Sequence, residues 1–339
     1  MIQKNILSSN NLMSDAIEVL QKSTIKLVII TDGKKLLGTI TDGDIRRALL
    51  NGKNLQSECF AIMNSKPKAA EENNYDLINR LLVTHKNVPI VDNKYNFINI
   101  VSDKIHKSNE CLNNPIIIMA GGKGKRLLPL TLNTPKPLLP LHQKPIIHEI
   151  IDRLLSCGLQ DIYISVYYKA DAIKKYFNSQ KQNNIKVKFL EEEKPLGTAG
   201  GLSLLNNDKI TSPCIVINGD VLTDINYLQL IDYHNKTGKE ITVCAAFYDI
   251  QIPFGTIEIE ENNILNIEEK PIKKYLINAG IYIANPSVIK SLKANASIDM
   301  TDIIEKYIKT NDVGIFPMHE QWLDIGSHES YKKARKEDK

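Results

Sequence analysis

The apolar run "IIIM" (Ile116 to Met119) constrains the fold more than any other short segment of this chain. It is apolar at every position rather than at alternate ones, which is typical of a strand covered on both faces of its sheet. Similar short runs follow ("DIYISVYY", "KVKFL" and "CIVI"), and helical patterns such as "IIHEIIDRLL" lie between them. This alternation predicts an α/β unit over residues 115–339, with a mostly parallel sheet and helices on both faces.

A glycine-rich loop, "AGGKGKRL", follows that first strand directly. Gly121 and Gly122 can adopt positive φ, so that backbone amides approach a phosphate closely. Lys123, Lys125 and Arg126 add positive charge, and the guanidinium can bind two phosphate oxygens at once. Because ligands of such sheets bind beyond the carboxyl ends of the strands, the loop indicates a polyphosphate site. A tight surface turn is the alternative interpretation.

Lys136 follows within the proline-rich segment "TPKPLLP". Pro135, Pro137 and Pro140 stiffen the chain on both sides of it. A rigid support can direct a single ammonium at a ligand with little loss of entropy. The alternative is a solvated lysine between prolines.

Two aspartates that are distant in sequence also lie in candidate loops. Asp220, in "NGDVL", comes directly after the strand "CIVI", and Asp324 belongs to "WLDIGS" far along the chain. One or two carboxylates, together with phosphate oxygens and water, are the ligands that Mg²⁺ prefers. The pair therefore predicts a magnesium site beside a triphosphate, although either aspartate alone is more often a turn or cap residue.

Three further loops carry groups suited to a base or a sugar. The segment "EEEKPLGTAGGL" (Glu191 to Leu202) contains three glycines and opens a predicted helix, and its backbone N–H and C=O groups could bind a base edge. The segments "EEKP" (Glu268 to Pro271) and "NAGIYI" (Asn278 to Ile283) offer a carboxylate, a lysine and an amide for a sugar phosphate. Read singly, each segment is more often a surface turn.

The N-terminal region, residues 1–110, contains an internal repeat with an offset of 61 residues. The stretch from Leu27 to Asp44 aligns without a gap on the stretch from Val88 to Ile105. Each copy has the pattern helix, strand, polar turn, strand, helix. Because a unit this short cannot bury its sheet alone, we expect the two copies to pack face to face.

Composition excludes several other classes of protein. The net charge of +4 on 339 residues is mild and scattered, which argues against a nucleic-acid partner. No apolar run approaches the roughly 18 residues of a membrane span, so we expect no membrane association. The five cysteines are odd in number and form no CxxC pair, which predicts no disulfide framework and favours the cytoplasm.

The tandem repeat resembles a pair of CBS domains, a smaller α+β module that often binds adenine nucleotides. The ribose-binding signature of that family is a strand ending in Thr or Ser with Asp three residues on, and "GTITDGD" supplies Thr41 and Asp44. The second copy has Ser102, but Ile105 replaces the aspartate, so the resemblance implies at most one such site. The alternative is that Asp44 caps the following helix.

The loops of residues 115–339, taken in order, resemble the sugar-1-phosphate nucleotidylyltransferase family, whose sheet is Rossmann-like. The resemblance implies that Mg²⁺ is the cofactor and that an NTP and a sugar 1-phosphate are the substrates. It assigns Arg126, Lys136 and Asp220 to catalysis; Gly121, Gly122, Gly124, Lys125, Gly197 and Thr198 to the nucleotide, with Gly201 in support; Gly255, Glu269, Lys270, Asn278 and Gly280 to the sugar phosphate; and Asp220 and Asp324 to the metal. Lys125 departs from the pattern, because many relatives have Ser or Thr there.

A CBS pair joined to such an enzyme is similar to bacterial proteins that activate sugars for legionaminic acid synthesis. That similarity implies GTP and glucosamine 1-phosphate as substrates, with mannose 1-phosphate or another base as the alternative, and a homodimer formed through the CBS modules. The implied reaction needs no general base, because the attacking phosphate is already anionic near neutral pH. A catalytically inactive nucleotide-sensing regulator is the rival hypothesis, and the presence of Arg126, Lys136, Asp220 and Asp324 argues against it.

Overall fold

The computed structural model describes residues 2–102, 113–141, 143–179, 185–205 and 210–335. The chain divides into two compact units, Met1–Asn109 and Glu110–Lys339. Most of the expected linker, residues 104–114, and the helix expected after the second repeat lie outside the described residues, as does Ile105. Within the described ranges, no helix is long and apolar enough to cross a bilayer.

The N-terminal unit contains two three-stranded sheets that share one topology. In each sheet the first strand pairs in parallel with the second, and the second pairs antiparallel with the third. The elements are β1 (Ile6–Ser8), α1 (Met13–Lys22), β2 (Val28–Asp32), β3 (Lys35–Ile40), α2 (Asp42–Leu50), β4 (Ala70–Glu71), α3 (Tyr75–Thr84), β5 (Asn87–Val91) and β6 (Phe97–Ser102).

The two repeats of this unit contact each other at their hairpin turns and through a shared core. The backbone N–H of Leu36 donates to the carbonyl of Tyr95 at 3.0 Å, and that of Phe97 donates to Lys34 at 2.8 Å. Buried apolar side chains of both copies form one cluster, which contains Leu27, Ile29, Leu36, Val91 and Ile100. The copies therefore pack against one another, as the length of a single copy predicts.

The C-terminal unit is built around a seven-stranded sheet with the order β16-β12-β15-β10-β7-β8-β9. Its strands and those of the smaller ribbons are β7 (Ile116–Met119), β8 (Ile162–Val166), β9 (Val187–Glu191), β10 (Cys214–Asn218), β11 (Val221–Thr223), β12 (Ile241–Gln251), β13 (Thr256–Glu260), β14 (Asn263–Glu268), β15 (Ile272–Ala284), β16 (Val313–Met318) and β17 (Trp322–Asp324). Its helices are α4 (Ile146–Ser156), α5 (Ala170–Ser179), α6 (Tyr227–Thr237), α7 (Pro286–Lys290), α8 (Met300–Ile308) and α9 (His328–Ala334).

Strand β7 lies inside this sheet, between β10 and β8, and both of its faces are covered. Ile116 and Ile118 join a core cluster that includes residues of α4, α5, α6 and α9. Ile117 points to the opposite face and joins the cluster formed with α7 and α8. Burial on both faces explains why the run is apolar at every position, and the mixed α/β fold predicted from the sequence is confirmed.

Strand β15 is the main antiparallel element of the sheet. It pairs antiparallel with both β10 and β12, whereas β10, β7, β8 and β9 form a parallel set. The outer part of β15 continues beyond the sheet as a two-stranded ribbon with β12, where Gln251 pairs with Ile272. The hairpin of β13 and β14 between them is exposed along nearly its whole length.

Candidate functional site

A cavity of about 480 Å³ opens where β7, β9 and β10 end. That volume lies within the usual range for small-molecule sites. Its lining residues are Met119, Ala120, Gly121, Gly122, Gly124, Lys125, Arg126, Leu127, Lys136, Pro137, Glu192, Pro195, Leu196, Gly197, Thr198, Asn218, Gly219, Asp220, Asp324 and Gly326. The cavity thus contains every residue assigned from the sequence to the nucleotide, the metal and catalysis.

The glycine-rich loop takes its shape from Gly124. This residue has a φ of +62°, whereas Gly121 and Gly122, for which the sequence predicted positive φ, do not adopt it. A side chain at position 124 would place its Cβ 2.9 Å from the Cγ2 of Thr131, which is fully buried. The hydroxyl of Thr131 donates to the carbonyl of Gly124 at 2.9 Å. The left-handed turn is therefore held from beneath, while Gly122 faces open space.

Lys136 contacts a carboxylate directly across the cavity. Residues Lys136–Leu138 form a short 3₁₀ turn that begins after Pro135, and Pro137 is buried. The ammonium of Lys136 forms an ion pair and hydrogen bond with Oδ2 of Asp220, and these two side chains are 11% and 22% exposed. A cation on the proline-stiffened segment is thus fixed beside an acidic group from β10.

The antiparallel ribbon of β11 and β17 brings the two aspartates together. Val221 pairs with Asp324 in this ribbon, and the backbone N–H of Ile325 donates to the carbonyl of Asp220 at 2.9 Å. Asp220 directly precedes β11 and Asp324 is the last residue of β17, so both aspartates line the same cavity. Loops that are remote in sequence therefore converge as the candidate magnesium site requires.

Asp324 lies in an electrostatic environment that favours its neutral form. Burial, with a second contribution from the charge of Asp220, raises the pKa of the Asp324 carboxyl, and Lys136 and Arg126 oppose this shift. Its buried Oδ1 has no hydrogen-bond partner in the part of the chain that the structure describes. A cation bound here would gain an acceptor oxygen that no protein donor uses, so the donor set suits a divalent ion.

Gly326 leaves the space in which Arg126 approaches Asp324. A Cβ at position 326 would lie 3.0 Å from Oδ1 of Asp324 and 3.1 Å from one guanidinium nitrogen of Arg126. Sequence reasoning did not select this glycine. The available signal was its position two residues after an aspartate in "DIGS".

The opposite wall of the cavity is the loop from Pro195 to Thr198. Gly197 has a φ of +80°, and a Cβ there would lie 2.7 Å from the carbonyl oxygen of Ile298. The backbone N–H and the hydroxyl of Thr198 both donate to Oδ1 of Asp299, at 2.8 and 3.1 Å. The donors of Thr198 are thus engaged by the protein. Gly201 packs beneath, where a Cβ would lie 2.2 Å from Oγ of Ser165.

Glu192 is a cavity residue that the sequence interpretation did not name. Its Oε1 accepts a hydrogen bond from the hydroxyl of Ser165 at 2.6 Å, and its Oε2 accepts one from the backbone N–H of Leu196 at 3.0 Å. It joins β8 to the loop opposite the cationic residues. Its position directly after β9 is the same signal that selected Asp220 after β10.

The residues assigned to the sugar phosphate do not line this cavity. Oδ1 of Asn278 accepts from the backbone N–H of Gly280 at 3.0 Å. Gly280 has a φ of +71°, and a Cβ there would lie 2.6 Å from Nδ2 of the cavity residue Asn218. Asn278 and Gly280 therefore lie beside the cavity wall and do not line the cavity itself.

The other three sugar-phosphate candidates lie in the connections that join the exposed hairpin of β13 and β14 to β12 and β15. Gly255 is next to Glu269, because a Cβ at position 255 would be 2.9 Å from Oε2 of that glutamate. Lys270, which follows, has a positive φ of 49°. The structure thus groups Gly255 with Glu269, and Asn278 with Gly280, without bringing the two groups into the cavity.

Thr41 and Asp44, the candidate ribose ligands of the N-terminal unit, contact each other. The backbone N–H and the hydroxyl of Thr41 donate to Oδ2 of Asp44 at 2.9 and 2.6 Å. Oδ1 of Asp44 forms an ion pair with Arg47. Asp44 lines a smaller pocket of about 250 Å³ with Arg47, Lys53 and Asn64. The carboxylate therefore stabilises the first turn of α2 from within the helix, as the third residue of a capping box. The capping interpretation placed Asp44 before the helix, whereas Thr41 is the N-cap.

Among the residues placed by the structure, no cluster of three or more histidine, cysteine or acidic side chains could hold a metal ion. Cys59, Cys157, Cys214 and Cys244 are free thiols.

Comparison with known protein families gives two matches. The nucleotidyl transferase family model matches residues 116–339, and the CBS domain model matches residues 6–51, which include the first repeat. The second repeat lies outside the matched CBS range.

Curated relatives include mannose-1-phosphate guanyltransferases. The protein of Emericella nidulans is 34% identical over 226 residues, covering 63% of this chain and 61% of the relative. The mannose-1-phosphate guanylyltransferase catalytic subunit beta of Drosophila melanogaster is 33% identical over 221 residues, covering 63% and 60%. The chain thus spans about three fifths of the length of the curated relatives it matches.

Solved structures of similar fold include HddC from Yersinia pseudotuberculosis. It is 29% identical, with a TM-score of 0.55, and the match covers 67% of this chain and 100% of that one. The same protein complexed with GMP-PN is 26% identical over the aligned region, with a TM-score of 0.53 and the same coverage.

Proposed function

Since the chain belongs to the nucleotidyl transferase family over residues 116–339, we propose that it transfers a nucleoside monophosphate from an NTP to a sugar 1-phosphate. The observation that carries this proposal is the convergence of Arg126, Lys136, Asp220 and Asp324 on one cavity at the carboxyl ends of the strands. Cations for a polyphosphate and carboxylates for a divalent ion are the two requirements of this chemistry.

The reaction is an in-line displacement at the α-phosphorus of the triphosphate. A phosphate oxygen of the sugar 1-phosphate forms the new O–P bond as the bond to pyrophosphate breaks. The nucleophile is already anionic near neutral pH, so no side chain has to remove a proton. The work of the protein is to position the two phosphates and to neutralise their charge.

Lys136 and Arg126 perform the neutralisation. The ammonium of Lys136 pairs with Asp220, and it exchanges that carboxylate for phosphate oxygens when the nucleotide binds. Arg126 contributes a planar donor fork suited to two phosphate oxygens. The backbone at Gly121, Gly122 and Gly124, with the charge of Lys125, holds the rest of the triphosphate.

Asp220 and Asp324 hold Mg²⁺. The unused Oδ1 of Asp324 and its raised pKa fit this role, since a divalent cation replaces the missing donor and favours the ionised carboxylate. When bound, the ion supplies charge neutralisation and orientation of the phosphate oxygens.

Guanosine triphosphate is the nucleotide that we propose. The mannose-1-phosphate guanyltransferase relatives and the HddC complex with GMP-PN support it. The Pro195 to Thr198 loop, with Gly197, forms the wall of the nucleotide cavity opposite the cationic loop.

For the acceptor we propose glucosamine 1-phosphate, on the resemblance to enzymes of legionaminic acid synthesis. Mannose 1-phosphate is the second candidate, which the names of the curated relatives favour. Asn278 and Gly280 adjoin the cavity residue Asn218, whereas Gly255, Glu269 and Lys270 lie outside the cavity. We propose that these two separate groups contact the sugar phosphate.

The test is pyrophosphate release from each of four NTPs paired with a panel of sugar 1-phosphates. We expect release with GTP and glucosamine 1-phosphate, and none from Asp220→Asn. If pyrophosphate is released only when the acceptor is mannose 1-phosphate, that sugar replaces glucosamine 1-phosphate as the proposed acceptor. If no pairing of NTP and sugar 1-phosphate releases pyrophosphate, the enzyme proposal is overturned and the nucleotide-sensing regulator is favoured.

For the N-terminal unit we propose an adenine nucleotide bound at Thr41 and Asp44. Its ribose would compete with Thr41 and Arg47 for the carboxylate, so we expect weak binding. Calorimetry with ATP on the full chain and on Asp44→Ala is the test. Equal affinity and equal transferase kinetics in both proteins would contradict this assignment.

A further inference from the structure

A segment from another part of the chain fixes the nucleotide-facing loop. The backbone N–H of Ile298 donates to the carbonyl of Leu196 at 2.9 Å, and the N–H of Ala199 donates to the carbonyl of Ile298 at 3.1 Å. These two bonds clamp the chain on both sides of Gly197 and Thr198, which line the cavity. The position of this wall is therefore set by the residues that precede α8.

Asp299 adds a side-chain connection to this clamp. Its Oδ1 accepts from both the backbone N–H and the hydroxyl of Thr198, and the hydroxyl accepts in turn from the backbone N–H of Met300 at 2.9 Å. Thr198 is thus fixed through its main chain and its side chain. The carboxylate acceptor makes these bonds stronger than neutral ones.

Helix α8 is packed in the core and therefore holds the loop from Pro195 to Thr198 in a fixed position. Met300 and Ile303 are buried in the core cluster that covers one face of the sheet. Asp299 directly precedes this helix, and its own backbone N–H donates to Asp302 at 3.0 Å. A carboxylate held at the start of a packed helix is a precise anchor for a loop that has little structure of its own.

The fit between the loop and its anchor leaves no room for adjustment at Gly197. A Cβ at that position would lie 2.7 Å from the carbonyl oxygen of Ile298 and 2.8 Å from Oδ1 of Asp299. Close approach of this kind makes the loop position sensitive to small shifts of the anchor.

We propose that Asp299 is a positioning residue for the nucleotide, acting through Thr198 on the cavity wall that faces the phosphate-binding loop. This inference rests on the proposed function, since it assumes that an NTP occupies the cavity. Asp299 is absent from the lining residues, so it acts on the ligand by fixing the loop. Its effect is on nucleotide affinity rather than on the displacement step.

The experiment compares three variants of the full chain: Asp299→Ala, Asp299→Asn and Glu305→Ala. The first removes the acceptor, and the second keeps an oxygen where Oδ1 lies. The third is a control, because it removes an exposed carboxylate from the same helix, one turn beyond the residues that hold Thr198. Calorimetry measures the Kd for GTP with Mg²⁺, kinetics give KM and kcat, and thermal unfolding reports stability.

We expect Asp299→Ala to raise the Kd and KM for GTP about tenfold with kcat nearly unchanged. Asp299→Asn should restore most of the affinity, and Glu305→Ala should leave Kd and KM unchanged. A change of less than twofold in Asp299→Ala would overturn the inference. Equal losses in Asp299→Asn and Asp299→Ala would also overturn it, because they would indicate that the charge acts on the ligand.

The binding measurement separates this inference from the enzyme proposal. If GTP binds but no pyrophosphate is released with any sugar, the proposed reaction fails, and the Kd values still decide the role of Asp299. If no NTP binds to the wild-type protein, both the enzyme proposal and the positioning role are contradicted.

Discussion

Asp44 of the N-terminal unit and Asp324 of the C-terminal unit are both candidate ligand residues, and the protein uses their carboxylates differently. Both oxygens of Asp44 bind groups of its own helix region, Oδ2 with Thr41 and Oδ1 with Arg47. Oδ1 of Asp324 is buried and accepts no hydrogen bond from the residues that the structure describes. The first carboxylate completes a local structure, and the second is left available for a ligand.

The two carboxylates differ because Asp44 contacts residues close to it in sequence, whereas Asp324 contacts residues far from it in sequence. Asp44 and Thr41 are three residues apart, so the geometry of a helix start satisfies them both. Asp324 meets Asp220, Lys136 and Arg126 only after the sheet and the β11–β17 ribbon have formed. An acidic residue in a candidate loop is therefore better evidence for a site when the surrounding fold leaves its oxygens unused.

Removing the cation of the C-terminal site should have the largest effect. Lys136→Ala should lower the rate of pyrophosphate release by about 10²- to 10³-fold, the scale of one lost electrostatic donor. The matched control is Lys144→Ala, which removes another lysine–aspartate pair, with Asp152, outside the cavity. Full activity in Lys136→Ala, or an equal loss in both variants, would contradict the role of Lys136.

A smaller effect is expected when the space between Arg126 and Asp324 is filled. Gly326→Ala should lower kcat/KM about tenfold, because its Cβ displaces the guanidinium or the carboxylate by a fraction of an ångström. Gly314→Ala is the control, since its Cβ would lie 3.3 Å from a carbon of Lys239, away from the cavity. Wild-type kinetics in Gly326→Ala would show that this contact is not needed.

The carboxylate of Asp324, whose Oδ1 accepts no hydrogen bond from the described residues, should also affect the free energy of unfolding. The raised pKa of Asp324 means that the metal-free folded protein binds this proton more tightly than the unfolded chain does. The destabilisation caused by the ionised Asp324 carboxylate is absent below the ordinary pKa of 3.8. It develops as the pH rises through the higher pKa that this carboxyl has in the folded protein. In EDTA at pH 7 we expect Asp324→Asn to be more stable by about 2 kcal/mol, and no more stable in acid. Urea unfolding across pH measures this, and a pH-independent difference would contradict it.

Among these effects on folding stability, that of Asp44→Ala should be the smallest. Loss of its contacts with Thr41 should lower the free energy of unfolding by about 1 kcal/mol, as for other helix caps. Arg47→Ala is the comparison, because it leaves the Thr41 bonds in place. Urea unfolding of the two variants gives the result. A larger loss in Arg47→Ala than in Asp44→Ala would contradict the capping role.

The sequence predicts the parts of this protein that depend on local patterns. The continuous apolar strand at Ile116, the loop that follows it and the helix predicted from "IIHEIIDRLL" are all readable from neighbouring residues. The cationic and acidic cavity residues were selected because each follows a strand or lies in a stiff loop.

Other features depend on contacts that no local pattern encodes. The antiparallel direction of β15 follows from its pairing with β10 and β12, and an alternating or apolar run does not reveal direction. The role of Asp299 requires a contact with Thr198 across about a hundred residues. The positive φ occurs at Gly124 rather than at Gly121, and Gly124 is the glycine that packs against Thr131.

Divalent-ion binding tests the central claim most directly, which is that the cations and the two aspartates share one site for a polyphosphate and its metal. Mn²⁺ binding in the presence of GTP can be measured by paramagnetic resonance on the wild-type protein and on Asp220→Ala/Asp324→Ala. We predict one tightly bound ion per chain in the wild type, and binding at least about tenfold weaker in the double variant. Equal Mn²⁺ affinity in the two proteins would contradict the account.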